Sequence, residues 1–188
     1  MLQTLTIEDP VEIEEEKFLQ IQVNEKAGNT YEASLKASLR HHPDVIIVGE
    51  IRDELTAQMA IRGALTGHLI IASIHAKNAE GVLSRMNELG ISDDMLRQTV
   101  VAIVFQKLLP LDCFLCEGPC GIYCPKFPVR QKRASLYDVL TSDNIRTLSS
   151  GDHINSAYFR ERNFNCLLKK VCAYGFISED IYYQYFIP

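Results

Sequence analysis

The sequence predicts an α/β fold built on a mainly parallel sheet, and three observations predict it. Val45-Ile46-Ile47-Val48 is a run of four β-branched residues, the pattern of a strand buried on both faces. Short apolar strands alternate with segments of helical period, the order a parallel sheet requires. Capping residues open those segments (Thr30, Asp53, Ser92) and glycines close them (Gly67, Gly90).

Taken in order, Leu5-Thr6-Ile7 forms a short strand that delivers Glu8 and Asp9, and Pro10 stops it because proline has no N–H to donate to a ladder. Glu12 to Glu16 is acidic and exposed. Phe18 to Val23 alternates, with Leu19, Ile21 and Val23 set against Gln20 and Gln22, as a half-buried strand does. After the turn Ala27-Gly28-Asn29, Thr30 caps a helix whose stripe is Tyr31, Leu35 and Leu39 and which ends before Pro43. The Val45 strand follows. Asp53 then caps a helix reaching about Thr66, with Leu55, Met59 and Leu65 inward. Leu69 to Ile74 is another strand, ending at His75. Asn78 or Ala79 begins a helix through Val82, Leu83, Met86 and Leu89. Ser92 caps a long helix through Leu96, Val100, Ile103 and Val104 to Leu109, halted by Pro110.

Composition changes at Pro110. Residues 110 to 128 hold four cysteines, four prolines and two glycines, too few periodic residues for a helix. Beyond them, Arg133 to Leu140 is a short ordered segment, Asn144 to Leu148 is helical, and Phe164, Leu167, Leu168 and Val171 form a helix stripe ended by Gly175. Ser178 caps a last helix containing Ile181, Tyr182 and Tyr185. The expected organisation is an α/β part over 1–109, a cysteine-rich element over 110–132 and a mainly helical tail over 133–188.

Charge and length narrow the function. A net charge of −5 argues against a protein that coats nucleic acid, and the longest basic stretch, Arg130 to Arg133, holds only three charges. No apolar run approaches the ~18 residues needed to span a bilayer, and the amino end has no basic-then-apolar signal pattern. A cytoplasmic setting is therefore expected, in which thiols stay reduced and clustered cysteines need another explanation. Cys113-x₂-Cys116-x₃-Cys120-x₃-Cys124 suits a tetrahedral Zn²⁺, which orders a segment that has no core of its own. An iron–sulfur cluster, or thiols without a metal, are the alternatives. Cys166 and Cys172 lie on an apolar helix as core residues.

The chemistry concentrates at the carboxyl ends of the strands, where ligands sit in open α/β sheets. Gly49 and Glu50 follow the Val45 strand. A carboxylate fixed there can hold a Mg²⁺-bound water or polarise an attacking water beside a nucleotide phosphate. This is a Walker B arrangement. Its partner motif, the phosphate loop Gly-x-x-x-x-Gly-Lys-Ser/Thr, appears nowhere in the 188 residues. Glu8 ends a strand beside the same crevice, although a turn carboxylate before Pro10 is the plainer reading. His75 also ends a strand, where a neutral imidazole can donate to a phosphate oxygen or simply bond at the surface. His68 precedes its strand at the other end, where a structural role competes with phosphate sensing. Arg52 can pair with Asp53 or a neighbouring helix, a structural part, or can make a subunit contact. His41 and His42 are read as surface residues.

Three segments in this order resemble the secretion and type IV pilus motor ATPases. Thr6-Ile7-Glu8-Asp9-Pro10-Val11-Glu12 is similar to that family's Asp box. Leu39 to Asp53, with Gly49-Glu50-Ile51-Arg52-Asp53, is similar to its Walker B region. Thr66-Gly67-His68-Leu69 through Ile74-His75-Ala76 is similar to its His box, although the usual His-Thr-Asn-Asp-Ala is here His75-Ala76-Lys77-Asn78-Ala79. Leu136-Tyr137-Asp138-Val139-Leu140 stands in for the family's Ile-Tyr-Glu-Val-Leu, and the Gly175-Phe176-Ile177-Ser178 ending looks most like the DNA-uptake branch.

The resemblance implies part of a RecA-like P-loop NTPase domain, with the phosphate loop lying before Met1. It implies Glu8, Glu50 and His75 as catalytic residues, and Gly49, Arg52 and His68 as nucleotide-binding ones. It also implies ATP with Mg²⁺ as cofactor, a hexamer, an inner-membrane platform protein as partner and a place at the inner face of the membrane. A rival reading makes the chain a non-catalytic, zinc-containing interaction module that binds motor subunits or the platform protein.

Overall fold

Parallel pairing of the first four strands sets the architecture. In the computed structural model, which describes residues 2–112, 133–149 and 162–188, β1 (Thr4–Glu8), β2 (Phe18–Gln22), β3 (Val45–Val48) and β4 (Leu69–Ala72) form one sheet in the order β2-β1-β3-β4. All three pairings are parallel, and Ile7, Val48 and Ala72 share one row. Ile46 and Val48 of β3 and Leu5 and Ile7 of β1 are buried, as expected for the two inner strands. Leu19 is exposed, because β2 is an edge strand.

The helices begin where the caps predict. The Thr30 side chain accepts from Ala33 N at the start of α1 (Tyr31–Ser38), and Asp53 accepts from Thr56 N at the start of α2 (Glu54–Leu65). The Leu55 and Leu65 positions require correction: both are exposed, and the inward face of α2 is Thr56, Ala57, Ala60, Ile61 and Gly63. Small residues are needed there because the helix lies close on its neighbours. A Cβ at Gly63 would stand 3.1 Å from both Ile70 Cδ1 and Leu39 Cδ2. Then come α3 (Ala79–Glu88) and α4 (Asp93–Thr99), the latter capped by Ser92.

The long helix expected from Ser92 to Leu109 is also corrected. It stops at Thr99, and residues Ala102–Pro110 form strand β5, antiparallel to β6 (Arg133–Thr141) along nine pairs from Ala102↔Thr141 to Pro110↔Arg133. Val100, Val101, Ile103 and Val104 are β-branched and favour extended backbone. Burial then alternates, with Ile103 inside and Val104 outside, which is strand period. The segment predicted as ordered over Arg133 to Leu140 is the partner strand. α5 (Ser142–Ser149), α6 (Phe164–Ala173) and α7 (Glu179–Tyr185) complete the described α-helices.

The chain divides into two compact units, residues 1–76 with 81–100, and residues 77–80 with 101–188. The division thus falls one strand earlier than the boundary read at Pro110. The first unit holds the parallel sheet. The second has its own core of Leu109, Phe164, Leu168 and Ile177. There the buried Asp138 carboxylate accepts from Phe164 N at 3.2 Å and so satisfies an end of α6.

Candidate functional site

A parallel sheet brings the carboxyl ends of its strands to one side, and the four short strands of the first unit end nearly level. Backbone bonds extend the ladder past the strands: Gly49 N donates to Ile7 O at 2.8 Å, Ser73 N to Val48 O at 3.3 Å, and Ile51 N to Ser73 O at 2.9 Å. The Ser73 hydroxyl donates to Gly49 O. These bonds fix the direction in which the chain leaves β1, β3 and β4, and so where Glu8, Glu50 and His75 stand.

Gly49 is required at that row. A Cβ there would lie 2.9 Å from the Tyr31 hydroxyl and 3.0 Å from Ile7 O. Tyr31, the first residue of α1, therefore places its hydroxyl against the Gly49 backbone. Burial holds its phenol above the usual range, with the negative charge of Asp9 as the next cause.

The Glu50 side chain is only 17% exposed, and both of its oxygens are engaged. Oε2 accepts from Arg52 Nε at 2.6 Å, and Oε1 lies 3.1 Å from His75 Nε2. Arg52 Nη1 also lies 3.7 Å from Asp9 Oδ2. Asp9, Arg52, Glu50 and His75 thus form one line of alternating charge and hydrogen-bonding groups. The bond to Glu50 raises the Arg52 guanidinium further above its ordinary value. His75 is 93% exposed and reaches Glu50 from the solvent side.

Glu8 is held separately. Its Oε1 accepts from Thr6 Oγ1 at 2.5 Å and from Gln20 Nε2 at 3.0 Å. The bond from Thr6, then that from Gln20, keeps its carboxyl below the usual carboxylate range. Carboxylate oxygens at adjacent strand ends are the donor type that Mg²⁺ takes. That ion binds through one or two carboxylates and the substrate's phosphates rather than in an all-protein cage. Glu8 and Glu50 are of that donor type, and among the described residues no group of three or more His, Cys, Asp or Glu residues is arranged to hold a metal ion.

Of the residues the sequence singles out, Glu8, Gly49, Glu50, Arg52 and His75 come together at this edge. His68 does not. It precedes Leu69, which pairs with Val45 at the amino end of the strands, roughly 15 Å along β4 at the usual rise per residue. There its Nδ1 lies 3.2 Å from Thr66 Oγ1 and its ring stacks on His42 with centroids 6.3 Å apart. Cys113, Cys116, Cys120 and Cys124 lie outside the described residues. Sequence reasoning missed Thr6, Gln20 and Tyr31 as members of the site. Thr6 was within reach, because residues i and i+2 of a strand share a face. Gln20 was not, because its place beside β1 depends on the parallel register Thr6↔Gln20. No helix among the described residues is long and apolar enough to cross a membrane.

The chain is 43% identical over 179 residues to competence protein ComGA of Bacillus subtilis, a match that takes in 95% of this chain and 50% of that protein. It is 43% identical over 115 residues to type II secretion system protein E of Dickeya dadantii, covering 61% of this chain and 23% of that one. The chain spans about half the length, or less, of the curated relatives it matches. Among solved structures it superposes on the pilus retraction motor PilT with bound ADP at a TM-score of 0.72, with 25% identity, over 100% of this chain and 53% of that one. The Legionella pneumophila ATPase DotB superposes at 0.67 with 22% identity, covering 97% of this chain and 51% of that one, a likeness of fold. The family model described as type II/IV secretion system protein matches residues 2–162, and the chain belongs to that family.

Proposed function

We propose that this chain carries the water-activating side of an ATP-hydrolysing motor site, and that the motor drives pilus-like assembly in DNA uptake or secretion. The observation that carries the reading is Glu50: a largely buried carboxylate at the carboxyl end of the central strand, pinned on one oxygen by Arg52 and on the other by His75. ATP with Mg²⁺, when bound, supplies the transferable phosphoryl group and neutralises its charge. The chain's own residues then do the positioning. Glu50 and Glu8, at the carboxyl ends of neighbouring strands, orient a water between them, and Glu8 or Glu50 takes its proton. Gly49 lets the Tyr31 hydroxyl and the β1 backbone close on the end of β3. His75 has room to turn from Glu50 and donate to a phosphate oxygen. Arg52 holds Glu50 Oε2 in place and bridges to Asp9. His68, at the far end of β4, has a structural part in stacking on His42.

Family membership supports the rest of the reading: a homo-oligomer, in this family a hexamer, working in the cytoplasm on a membrane platform protein. The net charge of −5 speaks against direct nucleic-acid binding. Zn²⁺ held by Cys113, Cys116, Cys120 and Cys124 remains part of the proposal on the strength of the cysteine spacing. Metal analysis should find about one zinc per chain, lost in Cys116→Ser; zinc unaffected by that substitution, or iron with sulfide, rejects it.

The 188 residues alone should hydrolyse ATP negligibly, because no Gly-rich loop and lysine align the phosphates. In a polypeptide that joins these residues to a phosphate loop, Glu50→Gln should slow single-turnover hydrolysis by at least about 100-fold while ATP still binds. An unchanged single-turnover rate removes Glu50 from the chemistry.

A further inference from the structure

We propose that Gln20 is a positioning residue for Glu8: it occupies carboxylate oxygen Oε1 and so turns Oε2 toward the water of the site. The proposal rests on the reading that Glu8 acts on that water.

The hydrogen bonds of the Gln20 amide decide its orientation. Its Oε1 accepts from Glu15 N at 2.7 Å. Its Nε2 donates to Ile13 O at 3.0 Å and to Glu8 Oε1 at 3.0 Å. A flipped amide would set its oxygen against two acceptors and its NH₂ against a donor, losing all three bonds. The NH₂ group must therefore face the carboxylate. The register pairs Thr6 with Gln20 and Glu8 with Gln22, so Gln20 lies one pleat back from Glu8 on the same face as Thr6. Thr6 Oγ1 donates to the same oxygen at 2.5 Å. Both side-chain donors converge on Oε1, and the backbone of Glu12, in the same acidic loop, also donates to the carboxylate.

Two consequences follow. Glu8 is fixed in one rotamer before any ligand arrives, the preorganisation that a water-orienting carboxylate needs. Donation to the charged form also stabilises it, in keeping with the lowered pKa of Glu8. In addition, one amide ties the acidic loop at Ile13 and Glu15 to the site, so the conformation of that loop and the aim of Glu8 are linked. This accounts for a polar residue turned inward on the edge strand β2, where Gln20 is half-buried.

The test uses Gln20→Met, which keeps the length of the side chain and removes its donors. In the 188-residue chain, NMR titration of the Glu8 carboxyl should show its midpoint moved upward. In the polypeptide that also carries a phosphate loop, kcat should fall roughly tenfold. The acid limb of its pH profile should move upward and ATP affinity should stay unchanged. In a Glu8→Gln background Gln20→Met should add nothing, since it acts through Glu8. If Glu8→Gln itself leaves kcat unchanged, the parent reading of Glu8 fails. If Glu8→Gln slows hydrolysis but Gln20→Met moves neither the midpoint nor kcat, the Gln20 proposal alone is overturned. Thr6→Val, a substitution of equal shape on β1, removes the other donor and gives the same readout where Gln20→Met does not yield folded protein; an unmoved Glu8 midpoint there overturns the shared-oxygen arrangement.

Discussion

In the first unit β3 is four residues long and buried except at the half-buried Ile47, whereas in the second unit β5 runs nine residues and buries only one face. The contrast decides where a site can form. Parallel strands in register end in one row, so Glu8 and the residues that follow Val48 and Ala72 leave the sheet on one side without any contribution from the helices. In the β5–β6 ladder the carboxyl end of one strand faces the amino end of the other, as the Pro110↔Arg133 pair shows, so nothing comparable converges. Among the described residues of the second unit, two polar side chains serve its packing instead. Asp138 satisfies the start of α6, and the Asn165 side chain both donates to and accepts from the backbone of Ile187. One unit gathers the candidate site residues, and the other holds a small core around Leu168.

The largest effect that can break this comparison is a cavity in the second core. Leu168 is fully buried among Leu109, Phe164 and Ile177. Leu168→Ala should cost about 2–5 kcal/mol within that unit. Amide exchange should speed up in α6 and β6 while the protection of Val45 to Val48 stays as it was. Loss of protection in both places together would show that the two units unfold as one.

A smaller effect sharpens the other side. Gly49→Ala sets a methyl within 3.0 Å of both the Tyr31 hydroxyl and Ile7 O. The tyrosine tip can move, but the Ile7 carbonyl is part of the β1 backbone. Overpacking of this kind should cost about 1–3 kcal/mol and should be confined to the first unit. Chemical shifts should move at Ile7, Glu8 and Tyr31 and stay fixed in β6. A variant as stable as the parent, with no shift at Ile7, would mean that the row has slack, and the tight positioning argued for Glu50 would go with it.

The same contrast explains what the sequence could reveal. The strands of the first unit were legible because each is short, apolar and closed by a residue with a local reason to stop it: Pro10 after β1, Gly49 after β3. The caps Thr30, Asp53 and Ser92 and the stops Gly67, Gly90 and Gly175, all three with positive φ, were legible for the same cause. Glu8, Glu50 and His75 came with the strand ends. What could not be read depends on pairing across distance. Ile103 and Val104 fit a helix stripe or a strand equally well until β6 lies beside them. The inward face of α2 was misjudged because leucines at helical spacing suggest a core, while the close approach at Gly63 excludes them from it. Gln20 was set on the solvent side because alternation alone cannot show that a neighbouring strand carries a carboxylate.

The smallest expected effect separates structure from chemistry inside the motif itself. Asp53 closes the Gly49-Glu50-Ile51-Arg52-Asp53 run, yet its contacts are those of a helix cap. Oδ1 accepts from Thr56 N at 2.9 Å and Oδ2 from Thr56 Oγ1 at 2.9 Å. No bond joins it to Arg52, whose partners are Glu50 and Asp9. The expectation that Arg52 pairs with Asp53 is thereby corrected: the extended backbone at Asp53 aims its side chain into the first turn of α2 instead. Asp53→Ala should therefore lower stability by about 1 kcal/mol, a shift of about 2–4 °C in Tm for a chain of this size. Asparagine caps a helix as well as aspartate does, so Asp53→Asn should recover most of that loss. In a polypeptide with a phosphate loop, Asp53→Asn should also keep the parent rate of hydrolysis, whereas the same change of acid to amide at Glu50 should not. Thermal melts and single-turnover rates on the two amide variants decide it. If Asp53→Asn is stable but slow, Asp53 belongs to the chemistry and the line of charges at the strand ends is longer than Asp9, Arg52, Glu50 and His75.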